Sequence, residues 1–203
     1  MGKSKYHHGD LRRALVEAAF DLAVEHGPDG VSMREAARTA GVSTAAPYRH
    51  FKDRDELMSA VAAKGYERLL DGMKASAEQS GQSPLLQYRA YGVHYVTFAV
   101  NNPNLFRIMH VARWSDPSAS PEMAAAHANG EGAIMTLVDK AGQEGEMAQE
   151  APRLQHLASH ALVYGLARLY VDGQWEGFGL ASLEVQPVVE AVMDIFGQGL
   201  IPR

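Results

Sequence analysis

Residues 31–57, VSMREAARTAGVSTAAPYRHFKDRDEL, carry the pattern that decides the fold of the N-terminal part of the chain. A helix-turn-helix requires a small residue where its two helices cross, a turn residue that tolerates positive φ, and an apolar residue that seats the second helix. Ala37, Gly41 and Val42 meet these three requirements in that order. The stretch therefore predicts two short helices joined by a tight turn.

The second helix of this motif is expected to begin at Ser43 or Thr44, because either hydroxyl can accept a hydrogen bond from a first-turn N–H. Pro47 follows a few residues later. With Thr44 as the cap, Pro47 falls within the first turn, where backbone N–H groups have no partner inside the helix. The sequence therefore predicts a helix that includes this proline.

The segment GVSTAAPYRHFKDRDEL resembles the recognition-helix region of TetR-family transcriptional regulators, in which a glycine-valine-serine turn leads into a tyrosine-x-histidine-phenylalanine run. The matching residues are Gly41, Val42, Ser43, Tyr48, His50 and Phe51. Upstream, LRRALVEAAFDLAVEHGPDGVSMREAARTAGVS is similar to the first two helices of that family. The resemblance covers about residues 10–60. The sequence departs from the family pattern at Ala46-Pro47, and this departure affects the expected base preference but not the expected fold.

Helical periodicity dominates the rest of the chain, and no alternation typical of strands occurs. Together with the resemblance, this predicts an all-α protein of about nine helices. A three-helix helix-turn-helix DNA-binding head with a basic N-terminal arm is expected over residues 1–52. A larger helical bundle for ligand binding and dimerisation is expected over residues 53–203. Ser32 and Asp53 are expected to cap two of the helices, each with a glutamate three residues later.

The start of a recognition helix usually reads base edges, so Thr44 and Ala45 are assigned to base contact. The resemblance implies phosphate contacts for Tyr48 and His50, through a hydroxyl and an imidazole N–H. The alternative is that these two residues only stabilise a small bundle. The full set of predicted DNA-binding residues is Lys3, Lys5, Arg34, Ser43, Thr44, Ala45, Tyr48, Arg49, His50 and Lys52.

The net charge of −5 does not suggest a DNA-binding protein, but the charge is unevenly distributed. Residues 1–60 balance nine basic against nine acidic side chains, and the excess acid lies further along. The N-terminal arm has one acidic residue against four basic ones, Lys3, Lys5, Arg12 and Arg13. Such an arm suits phosphate contact, with a merely solvated chain end as the alternative.

Composition excludes several other classes of protein. The 203 residues include no cysteine, so the chain has neither a disulfide framework nor a thiolate metal site. The segment MGKSKYHHGDLRR lacks the apolar region of a signal peptide, and no apolar run is long enough to span a membrane. We therefore expect a soluble, cytoplasmic protein with no membrane partner.

A second and weaker resemblance concerns the effector domain. YGVHYVTFAVNNPNLFRIMH, residues 91–110, is similar to the ligand-domain segment of one TetR-family branch, which a tryptophan and a histidine-glycine pair mark in the penultimate helix. His160 and Tyr164-Gly165 stand at those places here. Apolar walls with a few polar tips are typical of a small-molecule pocket, and plain core packing is the alternative. The predicted ligand-binding residues are Tyr95, Phe98, Phe106, Met109, Trp114, Tyr164 and Arg168.

The last two predicted helices carry more apolar positions than one bundle can cover, which suggests a partner surface. These positions are Leu157, Leu162, Leu166, Leu169, Val185, Val188, Val189, Val192, Ile195 and Phe196. The resemblance implies that the two helices pair with their twofold mates. We therefore expect a homodimer on a palindromic operator, with closure of the monomer's own core as the alternative.

Taken together, these features predict a sequence-specific DNA-binding repressor that an unidentified small molecule releases from its operator. A regulator without small-molecule control is one alternative. A helical metal protein or enzyme is another, since His156 and His160 lie four residues apart on one helix face. The sequence contains no nucleophile elbow and no phosphate-binding glycine loop. No catalytic residue, metal ligand or cofactor is therefore predicted.

Overall fold

The structure is a computed structural model that describes residues 8–198, with side chains from residue 11 onward. Within that range the chain forms nine α-helices and no β-strand, which confirms the all-α prediction. The helices are α1 (His8–His26), α2 (Met33–Thr39), α3 (Arg54–Gln79), α4 (Pro84–Asn101), α5 (Pro103–Met109), α6 (Ala112–Ser115), α7 (Pro121–Gln143), α8 (Pro152–Val171) and α9 (Val185–Gln198). Short 3-10 helices cover Pro28–Gly30, Pro47–Arg49 and Gln174–Phe178.

Caps, a glycine turn and prolines set helix boundaries, and the two caps and the turn stand where the sequence predicts them. The Ser32 hydroxyl accepts a hydrogen bond from the Glu35 N–H at 3.1 Å. The Asp53 carboxylate accepts one from the Glu56 N–H at 2.9 Å. Gly41 takes a φ of 69°, the left-handed conformation that the tight turn requires. Prolines stand at the first residues of α4, α5, α7 and α8, where a helix has no use for the missing N–H.

The second helix of the helix-turn-helix differs from its prediction. The segment after Gly41 forms a turn and then the 3-10 helix Pro47–Arg49, so neither Ser43 nor Thr44 caps an α-helix. Pro47 has no N–H to donate to the Ser43 carbonyl, and its ring would crowd that carbonyl in an α-helix. The Ala46 N–H donates to the Ser43 carbonyl instead, at 2.9 Å, which is the tighter 3-10 spacing. The expectation of an α-helix through Pro47 was wrong.

The described chain divides into two compact units, and one division falls inside α3. The first unit holds residues 8–67 and 104–128, and the second holds residues 68–103 and 129–198. The first unit is therefore larger than the predicted segment 1–52, because α5, α6 and the start of α7 pack into it.

Buried apolar side chains and one arginine hold the first unit together. The buried apolar side chains include Leu15 of α1, Phe51, which precedes α3, and Leu57 of α3. Their burial holds α1 and α3 together with the end of the segment between α2 and α3. The Arg54 guanidinium donates to the Val31 carbonyl at 2.7 Å and also to the Pro28 carbonyl. These bonds anchor the loop before α2 to the first turn of α3.

The second unit is built on the packing of α4 against α8 and α9. A close approach occurs at Gly92, where an added Cβ would lie 2.7 Å from the Met193 methyl carbon and 3.2 Å from a Val163 methyl carbon. Val163 and Val189 are buried at this contact side of α8 and α9. A larger residue at this position would have to displace the flexible end of Met193 and press on Val163, so the glycine favours this close packing of α4.

Candidate functional site

An exposed segment, residues 43–52, follows the turn after α2. Its exposed side chains are Ser43, Thr44, Ala45, Tyr48, Arg49 and Lys52, and Arg34 of α2 is exposed as well. Tyr48 has 59% of its surface exposed, although tyrosine is usually at least half-buried. Exposed hydroxyl, guanidinium and ammonium donors are the groups that contact nucleic-acid phosphates. The segment is therefore a candidate nucleic-acid interface.

Arg12 of α1 holds the end of this segment from the interior of the first unit. Its guanidinium donates to the His50 carbonyl and lies 4.2 Å from the centre of the Phe51 ring. It also forms a bidentate ion pair with Glu122 of α7, at 2.7 and 3.0 Å, and a longer contact with Glu56 of α3 at 3.3 Å. One side chain therefore joins the exposed segment to α3 and to the first turn of α7. The half-buried His50 ring lies within this anchored part.

The Arg12–Glu122 pair changes the pKa of both partners. The hydrogen bond to Glu122 raises the pKa of Arg12, and the same bond lowers the pKa of Glu122. The sequence had placed Arg12 in the basic arm, and that interpretation was wrong for this residue because its charge is neutralised inside the first unit. Lys3 and Lys5, the other predicted arm contacts, lie outside the described residues.

The second unit contains a cavity of about 390 Å³, part of which is open to solvent. Its polar lining residues are Tyr88, Tyr91 and Tyr95 of α4 and His156, Ser159 and His160 of α8. Its apolar lining residues include Met73, Ile134, Val163 and Met193. None of the lining residues is an aspartate, glutamate, lysine or arginine.

Hydrogen bonds and ring contacts order the polar wall of the cavity. The Tyr88 hydroxyl is 3.0 Å from Nδ1 of His156, and the rings of His156 and His160 have centres 5.9 Å apart. Desolvation by burial lowers the pKa of His156 and that of His160, although part of the His160 side chain stays exposed. Both imidazoles are therefore neutral at pH 7.

Sequence reasoning did not identify this wall. Tyr88, Tyr91 and Tyr95 follow one another at helical spacing of three and four residues, which places them on one face of α4. His156 and His160 have the same spacing on α8. The two stripes were visible in the sequence, but only the packing of α4 on α8 brings them together.

Of the seven predicted ligand-binding residues, only Tyr95 lines this cavity. Phe98 is buried on α4, and Tyr164 stacks on His160 with ring centres 6.2 Å apart. Arg168 forms an ion pair with Asp172, one turn further along, at 2.8 Å.

The other three predicted ligand-binding residues, Phe106, Met109 and Trp114, belong to the buried core of the first unit. Met109 lies beside Gly65, where an added Cβ would be 2.8 Å from its sulfur. The Trp114 indole N–H donates to the Asp55 carboxylate at 2.8 Å. Each therefore has a packing role in the first unit.

Two family models match the chain, and together they include the exposed segment and all of the cavity lining except Met73. The model described as bacterial regulatory proteins, tetR family, matches residues 15–61. The model described as tetracyclin repressor-like, C-terminal domain, matches residues 88–196, which is more than half of the chain. The chain belongs to the TetR family of bacterial regulatory proteins. It is accordingly a DNA-binding transcriptional regulator with an N-terminal helix-turn-helix domain and a C-terminal helical domain.

Solved structures resemble this TetR-family regulator over almost its whole length. A protein of unknown function from Rhodococcus sp. RHA1 is 31% identical with a TM-score of 0.79, covering 98% of this chain and 100% of its own. The TetR-family regulator PfmR from Thermus thermophilus is 19% identical with a TM-score of 0.61, covering 93% and 99%. A TetR-family regulator from Marinobacter aquaeolei is 20% identical with a TM-score of 0.62, covering 90% and 93%. At 19% and 20% identity, the last two structures show similarity in the fold alone.

Among residues 8–198, no group of three or more histidine, aspartate or glutamate side chains is arranged to hold a metal ion. No helix in the same part of the chain is long and apolar enough to cross a membrane. The branch of the family to which the effector domain belongs stays a prediction.

Proposed function

We propose that this TetR-family regulator is a repressor that a small molecule, bound in the cavity of the second unit, releases from a palindromic operator. It acts as a homodimer in the cytoplasm, where it meets duplex DNA. It acts by binding, without catalysis, metal or cofactor.

The observation that carries this proposal is the path of α7. Glu122 in its first turn binds Arg12, which holds the His50 carbonyl of the exposed segment. Ile134 of the same helix lines the cavity. α3 also contributes to both sites, because its Glu56 contacts Arg12 and its Met73 lines the cavity. Continuous helices therefore contribute to both sites.

A ligand can act through these helices only if it binds one conformation more tightly than the other, because equal affinity shifts no equilibrium. Displacement of Ile134 or Met73 by a ligand supplies such a difference. In the bound conformation, the exposed segment (residues 43–52) must then lie where it no longer fits the operator.

Contacts with DNA are assigned along the exposed segment. Thr44 and Ala45 contact base edges, with the alanine limited to a thymine methyl group. Tyr48, Lys52 and Arg34 contact phosphates, which position the protein without reading sequence. The remaining assigned contacts are Ser43, Arg49 and His50, with Lys3 and Lys5 of the arm.

The homodimer forms through α8 and α9. Leu154 and Leu157 of α8 are 65% and 60% exposed, and Ile195 and Phe196 of α9 are 51% and 46% exposed. Exposed apolar side chains of this size on neighbouring helices favour a partner surface. Val189 is buried in the second unit and belongs to its own core. A dimer presents two heads at a fixed separation, which a palindromic operator requires.

Two substitutions test the DNA assignment on an operator selected from a random duplex library. Thr44→Ala should change the preferred base at one position per half-site, costing about 1–3 kcal/mol there. Tyr48→Phe should weaken binding to selected and unrelated duplexes alike, because a phosphate contact carries no base information. Fluorescence anisotropy measures both affinities. Equal weakening by Thr44→Ala on all duplexes would remove its assigned role.

Both alternatives remain distinguishable from this proposal. A regulator without small-molecule control has no use for a cavity with a polar wall, so operator release by a cavity ligand separates the two. A metal enzyme that uses His156 and His160 would need further ligands, whereas Nδ1 of His156 is hydrogen-bonded to Tyr88. Operator binding that is unchanged by a chelator argues against a metal role.

A further inference from the structure

We propose that the effector of this regulator is an uncharged aromatic molecule that carries one hydroxyl or carbonyl group. This inference rests on the proposed function, because it names the ligand class of the same cavity. It follows from the charge of the lining, from the hydrogen-bonding groups the lining leaves available, and from the shape of its walls.

The lining of the cavity is electrically neutral. It holds no acidic or basic side chain apart from two imidazoles, and desolvation lowers the pKa of both below 6.5, which favours their uncharged form at pH 7. The negative charges that act on the wall come from Glu78, which affects Tyr91, and Glu131, which affects His156. An anionic ligand would therefore be repelled and unpaired, and a cation would find no carboxylate in the lining. Burying an unpaired charge is costly in either case.

Two polar groups of the wall remain available to a ligand. The Tyr88 hydroxyl is engaged with His156 at 3.0 Å. Tyr91 is 6% exposed, and its hydroxyl forms no hydrogen bond with the described part of the chain. The nitrogens of His160 likewise form none with residues 8–198. The Tyr91 hydroxyl is not one of the fully buried polar atoms that lack a partner, so solvent reaches it, and a ligand oxygen that bonds Tyr91 replaces that solvent contact.

The walls are suited to a flat aromatic ring system. The rings of Tyr95 and His160 meet edge to face, with centres 5.6 Å apart and planes at 74°. Met73 and Met193 add flexible thioether side chains, which make favourable contacts with ring edges. The cavity is partly open to solvent, so a ring system need not be wholly enclosed by these walls.

Four probes with one ring system test the ligand class. They are 1-naphthol, naphthalene, 1-naphthoate and 1-naphthylmethylammonium, and titration calorimetry on the full chain at neutral pH measures their affinities. We expect 1-naphthol to bind at least about tenfold more tightly than either ion. Naphthalene should bind about three- to tenfold more weakly than 1-naphthol because it lacks the hydrogen bond. The inference is overturned if either ion matches 1-naphthol, or if no probe binds.

A conservative substitution tests the hydrogen bond. Tyr91→Phe should lower the affinity for 1-naphthol to that for naphthalene while leaving naphthalene binding unchanged. Tyr170→Phe is the matched control, because Tyr170 of α8 packs edge-on against Trp175 and does not line the cavity. Thermal unfolding verifies that both variants are folded. Wild-type affinity of Tyr91→Phe for 1-naphthol would overturn the role of this hydroxyl.

Operator release separates this inference from the proposed function. If 1-naphthol binds in a Tyr91-dependent manner but the operator complex persists, the ligand class stands and release by this cavity fails. If 1-naphthoate releases the operator more effectively than 1-naphthol, release stands and the ligand class fails. If 1-naphthol both binds most tightly and releases the operator, both are supported.

Discussion

Breaking the Arg12–Glu122 ion pair should destabilise the first unit more than breaking an ordinary surface ion pair. The pair is bidentate, at 2.7 and 3.0 Å, and its side chains are only 25% and 33% exposed. Allowing for partial solvent screening, Glu122→Gln should lower the free energy of unfolding by about 1–2 kcal/mol. Arg12→Met also removes the donor to the His50 carbonyl and the stacking on Phe51, and should cost about 2–4 kcal/mol.

A double-mutant cycle isolates the pair from these other losses. Urea unfolding of the wild type, both single variants and the double variant should give a coupling energy of about 1–2 kcal/mol. Arg38 and Glu35 on α2 supply the matched control, since they form a similar contact at 2.6 Å but are 73% and 44% exposed. The same substitutions in that pair should show little coupling because solvent screens it. A coupling for Arg12–Glu122 below about 0.3 kcal/mol would refute the reasoning.

The acid side of the stability profile provides a second readout of the same pair. The bond with Arg12 lowers the pKa of Glu122 from its ordinary 4.5, so its stabilising contribution is present above pH 4.5 and is lost as the pH falls through the lowered value. The difference in stability between wild type and Glu122→Gln should therefore shrink in strong acid. Operator affinity should also fall in Arg12→Met, because the exposed segment loses the hydrogen bond that Arg12 donates to the His50 carbonyl.

Leu157→Glu, on the exposed face of α8, should turn the dimer into a monomer in light scattering, since it places a charge in the proposed interface. The control Leu86→Glu, also exposed but on α4, should stay dimeric, and a dimeric Leu157→Glu would move the interface elsewhere. Desolvation by burial lowers the pKa of His94, His156 and His160 below 6.5 in the folded protein. Just below pH 6.5 the unfolded chain therefore binds more protons than the folded one. Stability should therefore rise with pH up to about 6.5 and level off above it, and a flat urea-unfolding profile between about pH 5 and 7 would contradict this.

Signals that act over a few residues could be interpreted from the sequence. The caps at Ser32 and Asp53 and the positive φ at Gly41 stand where they were predicted, and prolines open four of the helices. Each depends on a hydrogen bond or a steric restriction within one turn of the chain. The motif around Gly41 likewise indicated the family, because its residues act together in one short segment. The one local error concerned Pro47, whose cost to an α-helix outweighed the capping hydroxyls before it.

Contacts between distant parts of the chain were decided by the tertiary structure alone. Arg12 and Glu122 are 110 residues apart, and nothing near Arg12 distinguishes it from an arginine of the solvated arm. Tyr88 and His156 are 68 residues apart, and they share a wall because α4 packs on α8. The sequence by itself determined the helices, their caps and the helix-turn-helix. The packing of those helices decided which aromatic residues line a cavity and which arginine anchors the exposed segment. The physical reason is that burial depends on neighbours in space, which the local spacing of residues does not specify.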